Sequence, residues 1–522
     1  MRFVIFILAF FLIMGESSYS QSVNVPLQHW AYDFLKRLEA RGVCRSLHLR
    51  TLPMSRKQLA EILAQIERIQ SNENGTLSRA ERDLLEQLKG EFHEEIAELN
   101  LKSQSQYREI HLWQWSENNA SAKFDVDFRQ RFDFDKSIAP DTTQRSSFTT
   151  LGAIVRGSLN KDLGFYLHFK NTLIRGQKIK SENFNPAYGY PLTISGKNVY
   201  QDEATAYVVW KLPWFQLQAG RDQVQWGPGS QGSLMISAQN PLFDLIKLQA
   251  AFKTFQFTSF HGWLTSHVGR KYLAAHRLDI QLRPWWYVAA AEAVVYGNRE
   301  VEFQYLNPLM PYHIAEHHLG DRDNNTMSFE CTLFPRRGHK LYGELFIDDF
   351  TSAKNPFRYY GNKFAFLVGH YWANPFRIRN VDLRIEYARV EPYVYTHDDS
   401  INVYENYNCI IGHWLGPNAD QLYFEIGFQP HRDLKASLLL DRVRHGEGDV
   451  RTPYSEDKGT RKQFLSGIVE TRWRLGFSIT DQILRDWFLT LQYHYSQLDN
   501  RNRILGQDGH DYHLIFQLSA NW

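Results

Sequence analysis

This 522-residue sequence has little cysteine, no excess of either charge and no long apolar run after its start. Cys44, Cys331 and Cys409 form no C-x-x-C pair, so neither a thiolate zinc site nor a redox motif is predicted. Lys and Arg number 59 against 57 Asp and Glu, and the two signs are interspersed. That balance argues against nucleic acid as a partner. The short apolar runs argue against membrane-crossing helices.

The first twenty residues are typical of an export signal. Arg2 supplies the positive charge, an apolar stretch runs through Met14, and Ser18 and Ser20 occupy the small-residue positions before cleavage. The apolar stretch is too short to span a bilayer as a helix. We therefore expect residues 1–20 to be a signal peptide and the mature chain to be exported.

A helical period of three to four follows the signal. Gly42 is expected to end the first amphipathic helix, and capping boxes that begin at Ser55 and Ser78 open two more. Three short helices predict a small α-helical bundle over residues 21–103. The bundle is interpreted either as a periplasmic plug or docking module, or as a folded cap without chemistry.

Aromatic residues are abundant, at 15% of the chain, which suits either carbohydrate stacking or the interfacial girdles of a membrane barrel. From Lys123 onward the apolar period changes to two. Phe132 and Phe134 face one way, whereas Arg131 and Asp133 face the other. A soluble sheet also alternates, but a phenylalanine face opposite a charged face favours a strand between lipid and a wet lumen.

Short turns alternate with long connections along residues 104–522, as in outer-membrane barrels. The short turns are predicted at 213–214, 284–285, 335–340, 374–380 and 430–433, and the long connections at 176–201, 222–245, 297–326, 351–362, 391–421, 444–462 and 498–510. This alternation is kept only if residues 406–414 lie in a long loop and residues 246–265 form two strands that are separated at Lys253. The sequence thus predicts an all-β transmembrane barrel of about 18 antiparallel strands.

The end of the chain carries its own signal. Residues 512–522 alternate strictly and finish on the aromatic Trp522. Such a strand resembles the signal that outer-membrane barrels present to the barrel assembly machinery. We therefore expect that machinery and outer-membrane lipid to be partners, with the N-terminal bundle and the C-terminus in the periplasm.

Charged residues are frequent on the predicted inward faces of the strands. They are Glu330, Glu344, Asp348, Asp382, Arg384, Glu386, Glu425, Asp441, Glu470 and Arg472. Across a wide lumen we expect them to form solvated ion-pair ladders. Their spacing selects no catalytic pair, because strands separate the carboxyl groups by unknown distances.

Two loops contain the candidate ligand-binding residues. In the first, a Trp-Gly-Pro-Gly run predicts a shaped loop in which Trp226 braces the lumen, with Arg221 and Gln225 as weaker ligand candidates. The second offers aromatic faces beside planar amides and carboxylates, a combination that binds vicinal sugar hydroxyls. Its candidates are Tyr305, Asn307, Tyr312, His313, Asp321, Asp323, Asn324 and Asn325.

Other chemistry is less well supported in these loops. Asp and Asn also favour turns, so the second loop has a purely structural interpretation as well. His313, His317 and His318 with Glu316 could ligate zinc if the segment were helical, although a polar loop explains them equally. No nucleophile or phosphate-loop motif is present. We predict no metal, no cofactor and no catalytic residue.

Several short motifs occur in order along the chain: Gly220-Arg221, Trp226-Gly227-Pro228-Gly229, Gly232-Ser233-Leu234, Asn240-Pro241, Tyr305-Leu306-Asn307-Pro308, Asp323-Asn324-Asn325, Gly343-Glu344, Asp348-Asp349 and the stretch 391–397. In these motifs, and in its helical start, the sequence resembles the capsule-assembly Wzi family of outer-membrane proteins. The resemblance implies a closed barrel with a periplasmic bundle. It also implies a lectin-like, non-enzymatic role in attaching capsular or exported polysaccharide to the cell surface.

Two alternatives remain open at this point. An outer-membrane diffusion channel would need an open lumen, and a barrel enzyme acting on lipid or glycan would need a nucleophile or metal constellation.

Overall fold

The computed structural model describes residues 23–72, 77–99, 105, 107–117, 119–139, 141–160, 162–176, 190–195, 198–455 and 459–521. The predicted signal peptide, most of the 176–201 connection and Trp522 lie outside these residues. Within them, a group of short helices precedes a closed sheet.

The N-terminal helices are α1 (Ala31–Arg41), α2 (Arg56–Asn72), α3 (Arg79–Glu91) and α4 (His93–Glu98). Gly42 ends α1 in a left-handed conformation, with φ of 77°. The predicted capping box at Ser78 is confirmed, because its hydroxyl accepts from the Glu81 N–H at 3.2 Å and its N–H donates to the Glu81 carboxylate at 2.7 Å. The predicted third helix breaks in two at the buried Phe92, whose backbone is not helical. None of the described helices is long and apolar enough to cross a membrane.

The wall is a single closed sheet whose neighbouring strands are all antiparallel. Two short strands, Trp113–Glu117 and Tyr190–Ser195, pair with this sheet, and eighteen longer strands of the described chain form the wall itself. They are β1 (Ala120–Ile138), β2 (Thr142–Leu159), β3 (Leu163–Gly176), β4 (Asn198–Lys211), β5 (Gln216–Asp222), β6 (Phe243–Ala251), β7 (Phe255–Leu264), β8 (Lys271–Arg283), β9 (Trp286–Gly297), β10 (Asn324–Leu333), β11 (His339–Asp349), β12 (Lys363–Ala373), β13 (Val381–Val390), β14 (Ala419–Phe428), β15 (Leu434–His445), β16 (Glu470–Leu484), β17 (Trp487–Asp499) and β18 (Gly509–Asn521).

Closure comes from pairing of the last strand with the first, for example Phe516 opposite Phe132. The predicted strand number is confirmed, and so is the split of 246–265, since β6 ends at Ala251 and β7 begins at Phe255. The stretch 406–414 lies in a loop, as predicted, and contributes only to a two-residue ladder. Closing the sheet removes the unpaired edges that so many strands would otherwise expose.

Connections of two kinds define the two ends of the barrel. The predicted short turns all lie at one end, here called the short-turn end, and the predicted long connections lie at the other, the long-loop end. Two connections at the long-loop end are nevertheless short, namely 139–141 and 265–270. The first barrel strand therefore leads directly into a hairpin.

The two faces of the wall differ as the sequence predicts. Phe134 and Leu151 are exposed on the outer face, whereas Asp127 and Asp133 are buried on the inner face. An outward apolar face suits lipid contact, because neighbouring strands of a closed sheet pair their backbone N–H and C=O groups with each other.

The helical bundle is tied to the short-turn end. The Arg37 guanidinium donates to Asn374 Oδ1 at 2.6 Å in the turn between β12 and β13. Arg45 Nε donates to the Pro284 carbonyl at 2.9 Å in the turn between β8 and β9. Thr51 Oγ1 donates to Asp279 Oδ2 at 2.7 Å on the inner wall. These contacts hold the bundle against several neighbouring strands.

Candidate functional site

Residues 223–242, here called the inserted loop, leave β5 early and fold into the lumen. The Trp226 side chain is completely buried, with its ring edge-on to Phe260 at a centroid distance of 5.2 Å. Thr51 and Leu52 of the N-terminal region pair with Trp226 and Gln225 in a short antiparallel ladder. The inserted loop therefore reaches the helical bundle inside the barrel.

Gly227 is required at the point where the inserted loop passes the bundle. Its φ is 133°, and its N–H donates to the Arg50 carbonyl at 3.1 Å. A Cβ at this position would lie 2.7 Å from the Ser233 Cβ and 2.9 Å from a Glu344 carboxylate oxygen. A residue with a Cβ would be strained at this φ and would clash with these atoms, so only glycine fits here.

Two inward carboxylates hold the inserted loop through its backbone. Glu344 accepts from the N–H groups of Leu234 and Met235 at 3.0 and 2.9 Å. Glu386 accepts from the N–H groups of Ser230 and Gln231 at 2.7 and 3.0 Å. The predicted ion-pair ladders are therefore wrong for these two residues, because their carboxylates accept from backbone N–H groups of the inserted loop and, at Glu386, also from the Tyr342 hydroxyl.

Other inward charges do form ion pairs, as predicted. Arg384 lies 3.0 Å from Glu425. Arg474 lies 2.5 Å from Asp441. The predicted ion pairs thus form where no loop enters the lumen and donates its backbone N–H groups to the carboxylate.

A second long loop, residues 391–418, closes over the first. The Tyr395 hydroxyl donates to the Leu234 carbonyl at 2.7 Å, and the Tyr404 hydroxyl donates to the Met235 carbonyl at 2.9 Å. Both tyrosines are completely buried. Together with the inner faces of β6–β9 and β11–β15, the two loops form one apolar core in the lumen.

The loop between β9 and β10, residues 298–323, is here called the polar loop. It contains α5 (Phe303–Leu306) and α6 (Tyr312–His318). The buried Asp323 carboxylate accepts from the Tyr305 hydroxyl at 2.7 Å and from Arg299 at 2.9 and 2.5 Å. These three side chains fix the two ends of the loop to each other.

Glu292 on β9 positions α6. Its carboxylate accepts from the N–H groups of Tyr312 and His313 at 2.8 and 2.6 Å, and from the Asn325 amide at 3.1 Å. The Tyr312 ring packs on His276 at a centroid distance of 4.4 Å. The first turn of α6 is thus satisfied by a carboxylate on the wall.

The structure brings only some of the predicted ligand residues together. Asn307, His313 and Asp321 are exposed on the polar loop, and Asn325 is half-buried beneath it. The predicted candidates Tyr305, Tyr312, Asp323, Asn324 and Trp226 are buried. The polar side-chain groups of the first four form hydrogen bonds within the protein, whereas the indole N–H of Trp226 has no hydrogen-bond partner in the described part of the chain.

Arg221 and Gln225 lie away from the polar loop. Arg221 faces outward on β5 and forms an ion pair with Asp244 at 3.1 Å. Gln225 is half-buried opposite Leu52. Neither residue shares a surface with the exposed candidates.

The histidines of the polar loop do lie on a helix, which was the condition for a zinc site. The rings of His313 and His317 are 4.3 Å apart between centroids. Among the described residues, however, no group of His, Cys, Asp and Glu side chains has the arrangement of a metal site.

A cluster of half-buried tyrosines at the long-loop end escaped the sequence analysis. The rings of Tyr360 and Tyr454 stack at 3.5 Å, and Tyr393 meets Tyr454 edge-on at 5.8 Å. The three residues come from three different loops. No local pattern could predict this cluster, because nothing in the sequence indicates which loops meet.

Glu316 makes the polar loop sensitive to pH. Burial, with the neighbouring carboxylates of Asp321 and Asp323, raises its pKa from the usual 4.5 to about 8. Because the folded loop then binds more protons than the unfolded loop, its stability is greatest at low pH and falls as pH rises towards 8.

We expect α6 to be cleaved faster by protease at pH 8.5 than at pH 6, after correction for protease activity. Glu316→Gln should remove this difference; an unchanged pH dependence in that variant would assign the effect to another group.

Comparison with known proteins places these features in a family. The family model of the capsule assembly protein Wzi matches residues 115–512. A solved structure of Escherichia coli Wzi, described as an outer membrane protein involved in group 1 capsule assembly and a carbohydrate-binding β-barrel, is similar at a TM-score of 0.62. Its sequence is 14% identical, with 95% of this chain and 98% of that chain covered.

Other solved barrels are less similar. Pseudomonas aeruginosa OccK5 matches with a TM-score of 0.44 and 9% identity over 76% of this chain and 98% of its own. Acinetobacter baumannii OccAB1 matches with a TM-score of 0.44 and 8% identity over 77% and 96%. A search of curated proteins finds no match. Because the family model covers well over half of the sequence, this chain belongs to the capsule assembly protein Wzi family.

Proposed function

We propose that this protein binds capsular or exported polysaccharide at the outer membrane and holds it at the cell surface, without catalysing a reaction. Family membership supports this role, and so does the likeness in fold to a barrel described as carbohydrate-binding. The observation that carries the proposal is the filled half of the lumen. Two buried loops occupy it, so in this half of the barrel the long-loop end offers a packed surface on which a ligand can bind.

The chemistry of that surface fits a sugar polymer. Asn307, His313 and Asp321 present exposed hydrogen-bonding groups, and Tyr360 and Tyr454 present aromatic rings on neighbouring loops. Sugars need both, because their hydroxyls form paired hydrogen bonds while their ring C–H groups lie on aromatic faces. The buried candidates on the same loops then support the binding residues rather than touch the glycan.

The orientation in the membrane follows from the same proposal. The long-loop end faces outward, and the helical bundle and both chain ends lie in the periplasm. The apolar outer face contacts outer-membrane lipid, and β18 presents its alternating pattern to the barrel assembly machinery. The interspersed charges leave nucleic acid out of the partners.

A diffusion channel is less well supported. It would need a continuous water-filled path, whereas Trp226, Tyr395 and Tyr404 are completely buried in the lumen. An enzyme would need an activated nucleophile or a metal, and the buried carboxylates of the lumen instead accept backbone hydrogen bonds.

Retention of polysaccharide by living cells tests the proposal. A strain that lacks the gene should make polysaccharide but release it into the medium, and the intact gene should restore cell-bound material. The combined Asn307→Ala, His313→Ala and Asp321→Ala variant should lower cell-bound polysaccharide on the order of tenfold, because it removes several hydrogen bonds at once. A second variant, Tyr360→Ala with Tyr454→Ala, tests the aromatic cluster in the same assay.

The matched control is Gln507→Ala, since Gln507 is exposed on a different long loop. All variants should reach the outer membrane in equal amounts as folded, heat-modifiable barrels. Full retention in both multiple variants would remove these surfaces from the binding site. Loss of polysaccharide synthesis in the deletion strain would contradict the proposed role itself.

A further inference from the structure

Three cations, here called the outer cation cluster, lie on the outer face of the wall near the long-loop end. They are Lys136 on β1, Arg145 on β2 and Arg175 on β3. Arg145 is directly opposite Phe134, which is exposed on the outer face, and Lys136 follows Phe134 by two positions. Arg175 is opposite Ser147, which follows Arg145 by two positions. Because side chains two positions apart on a strand share a face, all three cations point away from the lumen.

The members of the outer cation cluster are diagonal neighbours across adjacent strands. Lys136 is opposite Thr143 and Arg175 is opposite Ser147, so Arg145 lies between the two other cations on β2. Diagonal neighbours on one face of an antiparallel pair lie about 7–8 Å apart, which long side chains can bridge. One anionic group can therefore contact Arg145 and either of its neighbours at the same time.

The cluster has no internal counter-charge. Within the described residues, the side chains of Lys136, Arg145 and Arg175 form no ion pair, hydrogen bond or ring contact, and all three are exposed. Arg221 also faces outward near the long-loop end, but it is paired with Asp244 at 3.1 Å. Neighbouring cations without a counter-ion repel each other, and an anion bound among them relieves that repulsion.

The outer face next to the cluster, towards the middle of the wall, is apolar. Phe132, Phe134, Leu151 and Phe169 are exposed there on β1–β3. The cluster therefore lies at the boundary between the apolar band and the hairpin at 139–141. At that boundary a barrel meets lipid headgroups, so cations contact phosphate groups while aromatic and aliphatic side chains contact acyl chains.

We propose that the outer cation cluster binds the phosphates of a phosphorylated glycolipid in the outer leaflet, whose acyl chains lie along the adjacent apolar face. Such a lipid matches this surface in charge and in polarity. The hydroxyls of Thr143 and Ser147, which lie on the same face between the cations, are placed to bond sugar hydroxyls. The proposal rests on the proposed orientation of the barrel, but not on polysaccharide binding.

Titration of the purified full-length barrel in detergent with lipid A tests the proposal, and native mass spectrometry counts the bound lipid. Lipid A is a multiply acylated glucosamine disaccharide that carries two phosphates. The comparison probes are dephosphorylated lipid A, phosphatidylglycerol and inorganic phosphate. We expect lipid A to bind at least about tenfold more tightly than each of them, because it alone combines clustered phosphates, sugar and several acyl chains.

The variant Lys136→Gln with Arg145→Gln and Arg175→Gln, here called the triple cation variant, removes the cluster. It should weaken lipid A binding by about a hundredfold, since each cation near an anionic lipid contributes a factor of about five. It should also fold normally, because the three side chains have no partners to lose in the described structure.

The matched control replaces three exposed cations of other connections at the long-loop end. It is Arg270→Gln with Lys354→Gln and Arg461→Gln. This variant loses the same formal charge and should bind lipid A like the native protein. Equal loss of binding in the control would reduce the effect to net charge and would overturn the proposal.

Four other results would also overturn it. Equal affinity for dephosphorylated lipid A would leave the cations without a role. Equal affinity for phosphatidylglycerol would reduce the site to a general attraction for anionic lipid, and equal affinity for inorganic phosphate would reduce it to an anion site. Unchanged lipid A binding in the triple cation variant would place the lipid elsewhere.

The lipid proposal and the polysaccharide proposal can fail separately. The triple cation variant should still retain polysaccharide on cells, and the polar-loop variants should still bind lipid A. Binding in detergent also does not depend on the orientation of the barrel in a membrane. Loss of polysaccharide retention together with native lipid A binding in the triple cation variant would assign the cluster to the polymer instead.

Discussion

Replacing Arg277 by alanine is expected to lower the free energy of unfolding by about 3–5 kcal/mol. Arg277 on β8 is completely buried and lies 2.7 Å from Asp279, with Glu330 of β10 as its second partner. The substitution leaves two buried carboxylates facing each other without a cation. Urea unfolding in detergent, followed by the loss of heat-modifiable mobility, measures the change.

Two comparisons make this prediction specific. Arg270→Ala removes an exposed ion pair with Glu300 just before the same strand and should leave unfolding unchanged. Replacing Arg277, Asp279 and Glu330 together by Met, Leu and Leu should recover most of the lost stability, because no buried charge is then left unpaired. If Arg277→Ala unfolds like the native protein, the three charged side chains must be hydrated. That result would contradict their burial as one cluster.

Trp226→Ala is expected to destabilise the protein by about 3–5 kcal/mol, as for other large buried aromatic side chains. Its ring fills the space between the inserted loop and Phe260 on β7. Removing the ring leaves a cavity in the lumen that the anchored backbone of the loop cannot readily fill. The same urea titration measures the loss, and single-channel recordings in planar bilayers show whether ions now cross.

Trp214→Ala is the matched control for Trp226→Ala, since its indole is 79% exposed in a short turn. It should change the free energy of unfolding little. Native stability in Trp226→Ala would indicate that the inserted loop is free to leave the lumen. That result would revive the diffusion channel as an alternative.

Local patterns in the sequence were sufficient to predict where helices begin and which way the side chains of a strand face. The capping box at Ser78 depends on residues three positions apart, and the faces of β1 depend on strict alternation, so both can be read from neighbours. Each of these predictions needs only physics that acts along one segment.

The interior of the lumen could not be predicted in the same way. Glu344 and Leu234 are 110 positions apart, and nothing local indicates that a strand carboxylate accepts from a loop amide. Tyr305 and Tyr312 look alike in a sequence whether a loop exposes or buries them. The sequence therefore identified the polar loop as important but could not separate its supporting residues from its exposed ones.

The short ladder between Thr51-Leu52 and Gln225-Trp226 joins the two ends of the barrel into one mechanical unit. The inserted loop is connected to its strands at the long-loop end, whereas the helical bundle is hydrogen-bonded to the short-turn end. Force applied to the inserted loop is therefore transmitted through the hydrogen bonds of this ladder to the bundle. If the protein holds a polymer as proposed, tension on that polymer would be shared between the wall and the helical bundle.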